Sequence, residues 1–455
     1  MSLWTSATIA AATGGVASGD FAISGVAFDS REVGPGDLFV ALKGEATDGH
    51  RFMAQALAQG ASGVLVSEPV AGPHVRVADT AVALDALGAA SRARMLGRVI
   101  GVTGSVGKTS VKEALFAALD RSAPGCAHRS LKSYNNHVGV PLSLSRMPRA
   151  AQFGIFEMGM NHAGELAQLT RLVRPHVAIV TAVALAHGAF FADESAIADA
   201  KAEIFEGLEP GGTAIIPYDS PHRDRLIAAA RPFASDIVTF GRDKAADVWA
   251  RESIGQAAGT LIVARLRDAE LTFTLSQPGA HWVSNALAIL AAVEAVSGDL
   301  PAAGLALAEM AGLAGRGRRL PIALPEGEAL LIDEAYNANP ASMRATLAVL
   351  GAEKAKRRIA ILGSMRELGP SEAREHAALA DPIAAANVDF ALLVGSEMAP
   401  LAEALEGRTE FAHVADAAAA ADQARGLIDV GDAVLVKGSN SVGLARVVNA
   451  LAGTV

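Results

Sequence analysis

The sequence predicts a three-domain α/β protein: a small N-terminal α/β unit over residues 1–95, a central unit built on a mainly parallel sheet over 96–312, and a Rossmann-like α/β unit over 313–455. Three observations lead there. The chain has 455 residues, too many for one hydrophobic core. Short apolar runs alternate with Ala-rich helical stretches, the rhythm of strand–helix–strand units. That rhythm is broken once, by a β-rich patch "DVWARES…GTLIVARLRDAELTFTLSQPG", and resumes after "MAGLAGRGRRLPI".

In the first unit, "AQALAQGASGVLVSE" reads as helix, Gly turn, strand. The central unit opens with "RVIGVTGSVGKTS", a strand, a glycine loop and a helix start. Its further strands are expected at "FGIFEMG", "VAIVTAV" and "GGTAIIP", and a helix at "NALAILAAVEAVSG". In the third unit strands are expected at "EALLIDEAY", "RRIAILGS", "FALLVGS" and "DAVLVKGS", each separated by an Ala-rich helix.

Composition narrows the function classes. Half of the chain is apolar (51%) and the net charge is −9, so a general nucleic-acid binder, which is more often basic, is disfavoured. The single cysteine, Cys126, rules out a disulfide framework or a cysteine zinc site within one chain and fits a reducing cytosol. The start lacks the basic residues of a secretory signal. The uncharged run 177–192 is short for a membrane span of about 20 residues and reads as a buried strand with its following loop.

The stretch "GVTGSVGKTS" carries the first chemical signal. Gly107-Lys108-Thr109 belongs to a phosphate loop, but Val102 stands where the common Gly-x₄-Gly-Lys frame wants glycine. Instead the frame is Thr103-Gly104-Ser105-Val106-Gly107-Lys108-Thr109-Ser110. Glycines let backbone N–H groups turn toward a phosphate, and the helix N-terminus adds partial positive charge. Lys108 would reach the terminal phosphates and Thr109 would ligate Mg²⁺.

This spacing resembles the Mur ligase family, whose loop reads Thr-Gly-x-x-Gly-Lys-Thr. Further segments resemble it in order: "FDSREVGPGDLFVALKGEATDGHRF", "SYNNHVGVPLSL", "FEMGMNHAGEL", "AHGAFFADESAIADAKAEIFEGL", "PGAHWVSNALAI", "DEAYNANPASM", "ILGSMRELG" and "VLVKGSNSVGL". The "DEAYNANP" piece is similar to the subgroup that adds D-alanyl-D-alanine.

The resemblance implies an ATP-dependent amide ligase of peptidoglycan precursor synthesis, cytoplasmic and monomeric. Its substrates would be UDP-MurNAc-tripeptide and D-Ala-D-Ala, joined through an acyl phosphate. It implies Mg²⁺ held by Thr109 and Glu157, with a second ion at His187 and at Lys201 carrying a CO₂-derived carbamate. Lys108, Lys201, His187 and Glu157 would form the catalytic set. A free ammonium at Lys201 would repel a metal, whereas the carbamate is an anion.

For the nucleotide it implies the loop 103–110, His281 and Asn285 on one helix face, Arg316 with Arg318 as rival, and Glu334, Tyr336 and Asn337 near the ribose. For the UDP-peptide substrate it implies Asp29, Ser30, Arg31, Lys43, Gly44, Asp48 and His50, with Gly49 in the same signature, and Asn135, Asn136 and Asn339. Departures from the family pattern are Ala182, Trp282, Glu334 and Ser364. Two alternatives remain: the preceding ligase of the same pathway, whose Asp-Asn-Pro-Arg segment is absent, and a non-catalytic nucleotide-binding regulator.

Overall fold

The computed structural model describes residues 2–44, 47–185, 189–256 and 259–453. Three larger sheets carry the fold. A five-stranded sheet in the first unit runs from Val16–Ala17 to His74–Arg76, Gly63–Val66, Asp37–Val40 and Gly25–Ala27. Apart from the first pair, its strands are parallel.

The central sheet has nine strands. Six are parallel, centred on Arg98–Thr103 between Phe153–Glu157 and Val177–Val180. A seventh strand, Val248–Gln256, begins in parallel pairing with Asp236–Gly241. It then turns the sheet antiparallel through Gly259–Arg265 and Glu270–Leu275, which is the β-rich patch of the sequence. Side chains alternate between the faces. Ile100, Val102, Ile155 and Ile179 pack on one face against the helices Lys108–Ser122 and Ala280–Ala295. Val99, Phe156, Val180 and Ile216 pack on the other against Ile197 and Phe205. Both faces are therefore covered, as parallel sheets require.

The third sheet has six strands, two more than the apolar runs announce. The additions are its edges, Arg318–Leu324 and Glu410–Val414. Edge strands are half exposed, so neither shows a continuous apolar run. Pro321, which cannot donate to a ladder, is tolerated on an edge. The short edge strand Ala127–Arg129 of the central sheet is hidden for the same reason.

Cross-unit contacts fix the arrangement. Trp4 Nε1 donates to the Ser145 carbonyl at 2.8 Å and its ring lies under the Arg94 guanidinium. Glu32 of the first unit takes both Lys132 and the Tyr134 hydroxyl. Asn339 Nδ2 reaches the Ser105 carbonyl at 3.4 Å, and the Ala189 N–H donates to Glu367 O at 3.0 Å. Among the described residues no helix is long and apolar enough to cross a membrane.

Candidate active site

Parallel register sets the site. Glu157 pairs with Val102, and Val180 pairs with Thr103, so three strands end together at one edge. The carboxyl edge of such a sheet is where ligands gather.

From Thr103 the chain enters the glycine loop. Gly104 has φ +149°, and a Cβ there would lie 1.9 Å from Thr181 Oγ1. Thr181 cannot retreat, because its hydroxyl donates to Val106 O at 2.6 Å. Gly107 has φ +87°, and a Cβ would meet Asn285 Oδ1 at 2.9 Å. Glycine is thus required twice for conformation and for room. The helix Lys108–Ser122 starts without a side-chain cap. Its first-turn N–H groups have no intrahelical partner and face the loop.

Lys108 Nζ donates back to Gly104 O at 2.7 Å. Desolvation pushes its pKa down, Glu157 pushes it up and Arg316 pushes it down. Thr109 donates its hydroxyl to Glu157 Oε2 at 2.8 Å, while Asn135 Nδ2 donates to Glu157 Oε1 at 2.7 Å. Glu157 is almost fully buried (1% exposed). A buried carboxylate beside a hydroxyl is an oxygen donor set of the kind Mg²⁺ takes.

Lys201 sits in the last turn of the helix Glu194–Ala202, 2% exposed. Alanines at 198, 200 and 202 are buried with it and let the helix pack closely. Among the described residues its ammonium forms no hydrogen bond or ion pair. Burial, with the Lys108 charge adding, holds its pKa well below the ordinary lysine value. His187 lies outside the described residues.

On the facing side, the strand Gly327–Glu334 ends in register with Lys437. Arg316 lies over the Tyr336 ring at 4.4 Å and approaches Ser133 Oγ at 3.4 Å. Arg318 instead pairs with Asp333 at 3.2 Å. His281 and Asn285 lie on the helix Ala280–Ala295. Burial chiefly, and then the charge of Lys437, push His281 down to about 4, so its imidazole is neutral at pH 7.

Several predicted residues carry structural duties. Asn339 caps the helix Pro340–Ala352 through Ser342. Asn136 Oδ1 accepts from the Val138 and Gly139 N–H groups, and Asn337 Oδ1 from Ala338. In the first unit, Arg31 forks onto Asp29, which is held down at about 2 chiefly by that hydrogen bond. Ser30 Oγ reaches Gln55 at 3.4 Å. The Lys43 and Asp48 backbones form an isolated antiparallel β-bridge, and the Gly44 N–H donates to Thr47 O. Asp48 in turn holds His50 Nδ1 at 2.6 Å, while the Ser67 N–H donates to His50 Nε2. Both ring nitrogens of His50 are therefore engaged. These contacts all lie within the first unit.

Residues not singled out from sequence also join the site. Lys437, 2% exposed, donates to Glu334 Oε2 at 3.3 Å and Asn337 O at 3.0 Å. Lys437, Ser133 and Asp333 lie in segments that carry the family resemblance, but nothing in those segments singled them out; Thr181 carried no signal, since it acts through a neighbour distant in sequence.

The chain matches three family models: "Mur ligase family, catalytic domain" over residues 22–100, "Mur ligase middle domain" over 102–293, and "Mur ligase, glutamate ligase domain" over 318–440. It is 36% identical to the Escherichia coli (strain K12) UDP-N-acetylmuramoyl-tripeptide–D-alanyl-D-alanine ligase, covering 95% of this chain and 94% of the relative. It is 33% identical to the Synechocystis enzyme of that name, over 95% and 93%. A crystal structure of MurF from Acinetobacter baumannii superposes with a TM-score of 0.86 at 31% identity, covering 99% of both chains. MurF from Thermotoga maritima in complex with ADP shares the fold, with a TM-score of 0.78 at 24% identity over 94% and 97%.

Proposed function

The chain belongs to the Mur ligase family, and from that premise we propose that it joins D-alanyl-D-alanine to UDP-MurNAc-tripeptide at the expense of ATP, in peptidoglycan precursor synthesis. The specific product rests on relatives of that name aligned over nearly the full chain. The observation that carries the chemistry is the convergence of an uncapped helix N-terminus, Lys108, the Thr109–Glu157 pair and a buried Lys201 that has no partner among the described residues.

The γ-phosphoryl group passes from ATP to the terminal carboxylate of the tripeptide, giving an acyl phosphate and ADP. The amine of D-Ala-D-Ala attacks the acyl carbon. The C–N bond forms, the C–O bond to phosphate breaks, and the amine proton leaves with a base or water. Phosphoryl transfer asks for positioning and charge neutralisation more than for covalent help. The loop N–H groups and Lys108 hold the phosphates, and Arg316 brings a cation from the third unit.

Thr109 and Glu157 would hold one Mg²⁺, and Lys201 as carbamate with His187 a second. When bound, the metal neutralises charge on the moving phosphoryl group. Lys201 suits carbamylation because burial, with no counter-charge among the described residues, favours the neutral amine, the form that attacks CO₂. We divide the chain at 95/96 and 312/313. Asp29, Ser30, Arg31, Lys43, Gly44, Asp48 and His50 are assigned to the uridine diphosphate, and Asn135, Asn136 and Asn339 to the substrate as well. His281, Asn285, Glu334, Tyr336 and Asn337 are assigned to the nucleoside. Dependence on ATP and a UDP-linked substrate fits the cytoplasm, and the monomer carries every residue invoked.

The test is phosphate release from ATP with Mg²⁺, adding UDP-MurNAc-tripeptide and D-Ala-D-Ala singly and together, with the product weighed by mass spectrometry. Release needing both, with a pentapeptide product, is expected. Release with a dipeptide precursor and a single diamino acid instead would move the protein one step back in the pathway.

A further inference from the structure

Gln277 stands just before the helix Ala280–Ala295 and is 4% exposed. Its Nε2 donates to Met310 O at 2.8 Å, which fixes the amide orientation. The flipped amide would set two oxygens against each other. Oε1 therefore points the other way, buried and without a hydrogen-bond partner. A buried acceptor left unmade is costly and asks for a donor.

Oε1 faces a slot between the central and third units, lined by Gln277, His281, Trp282, Gly317, Glu334 and Val349 among others. Gly317, at φ +85°, leaves room there. A Cβ on it would lie 3.6 Å from Gln277 Oε1 and 3.5 Å from Glu334 Oε1. Glu334 Oε2 is taken by Lys437. Two acceptor oxygens thus look into one slot.

Its position points to the base end of a nucleotide. Asn285 abuts the phosphate loop at Gly107. His281 lies one turn, about 6 Å, further away along the helix, and Gln277 precedes the helix altogether. Trp282 and Val349 offer apolar walls. A purine carrying an exocyclic amine supplies the missing donor, whereas a keto group would set oxygen against oxygen.

We propose that Gln277 selects the nucleotide base, its Oε1 accepting from the exocyclic amine of adenine. The inference rests on ATP being the bound nucleotide. As arranged here, the slot admits about one water-sized group (about 10 Å³), so the ring requires a wider slot than this arrangement leaves.

The test is calorimetric binding to the full chain with Mg²⁺, using ATP, ITP (a keto group in place of the amine) and 3′-deoxy-ATP. Wild type is expected to bind ATP roughly 10–100-fold more tightly than ITP, the scale for a buried polar group left unpaired. Gln277→Leu, with Gln277→Met as the second variant should the first misfold, is expected to erase that ratio. Their ITP affinity stays within about twofold, and the ATP to 3′-deoxy-ATP ratio is unchanged. Equal binding of ATP and ITP by wild type overturns the proposal, whatever the variants do. So does a folded variant that keeps the ratio, or one that loses the 3′-deoxy discrimination instead, which would move the contact to the sugar. Binding of no nucleotide at all would sink the ATP reading itself, and is distinguishable from binding without base preference.

Discussion

Lys201 and Lys437 are equally buried, both 2% exposed, and the surroundings of the two differ in kind. Lys437 has Glu334 and a backbone carbonyl to hold its charge. Lys201 has no partner among the described residues and feels the repulsion of Lys108. Burial lowers both pKa values, but among the described residues only Lys437 is offered a counter-charge. Under the proposed function, the difference would separate a lysine that holds structure from one kept as an amine for chemistry. A buried cation without a partner costs stability, and proteins retain such groups at functional sites.

The largest effect should come from Lys201→Ala. We expect kcat to fall by about 10²–10³, the scale for one lost electrostatic contact in a transition state. Formate or acetate should restore part of it, measured as phosphate release. No rescue, with an unchanged fold, would break the contrast on the Lys201 side.

Lys437→Met tests the other side. Removing the cation strands a carboxylate that is mostly buried, and unfolding in urea should show a loss of about 2–3 kcal/mol. Glu334→Gln in the same chain should recover most of it. A Lys437→Met protein as stable as wild type would mean the pair holds nothing.

A smaller effect of opposite sign is expected from Lys201→Met in CO₂-free buffer, a gain of about 1–2 kcal/mol at pH 7. The sign follows from linkage. Between the lowered folded pKa and the unfolded value near 10.4, the unfolded chain binds one more proton. Wild-type stability should therefore climb with pH across that window, and the variant should lack that contribution. Equal slopes in the two proteins would count against a neutral Lys201.

The smallest effect links the two regions. Because Lys437 adds to burial in holding His281 at about 4, Lys437→Met should raise that imidazole by a fraction of a pH unit, by NMR titration. It should stay well below 6.5, since burial is the larger cause.

Much of this was legible beforehand. Buried parallel strands announce themselves as apolar runs, and the phosphate loop is local, eight consecutive residues whose spacing carries its chemistry. Glu157 and Lys201 could be reached through family resemblance in their flanking segments, because each sits inside a contiguous signature. Edge strands such as Arg318–Leu324 and Glu410–Val414 were not legible, since half-exposed strands have no apolar run to betray them. Neither was the division of labour between Arg316, stacked on Tyr336, and Arg318, paired with Asp333. Arginines on either side of Gly317 look alike until the turn's direction is known.

The sequence by itself determined the strand–helix rhythm, the glycine loop and the kinds of side chain available for phosphate chemistry, because these depend on neighbours within a few residues. Tertiary structure alone decided that Lys437 meets a carboxylate while Lys201 meets none among the described residues. It also decided that Thr181 forbids a side chain at Gly104 and that Gln277 Oε1 is left without a donor. Each of these turns on atoms far apart along the chain meeting in a low-dielectric interior, where a hydrogen bond made or missing sets what a group can do.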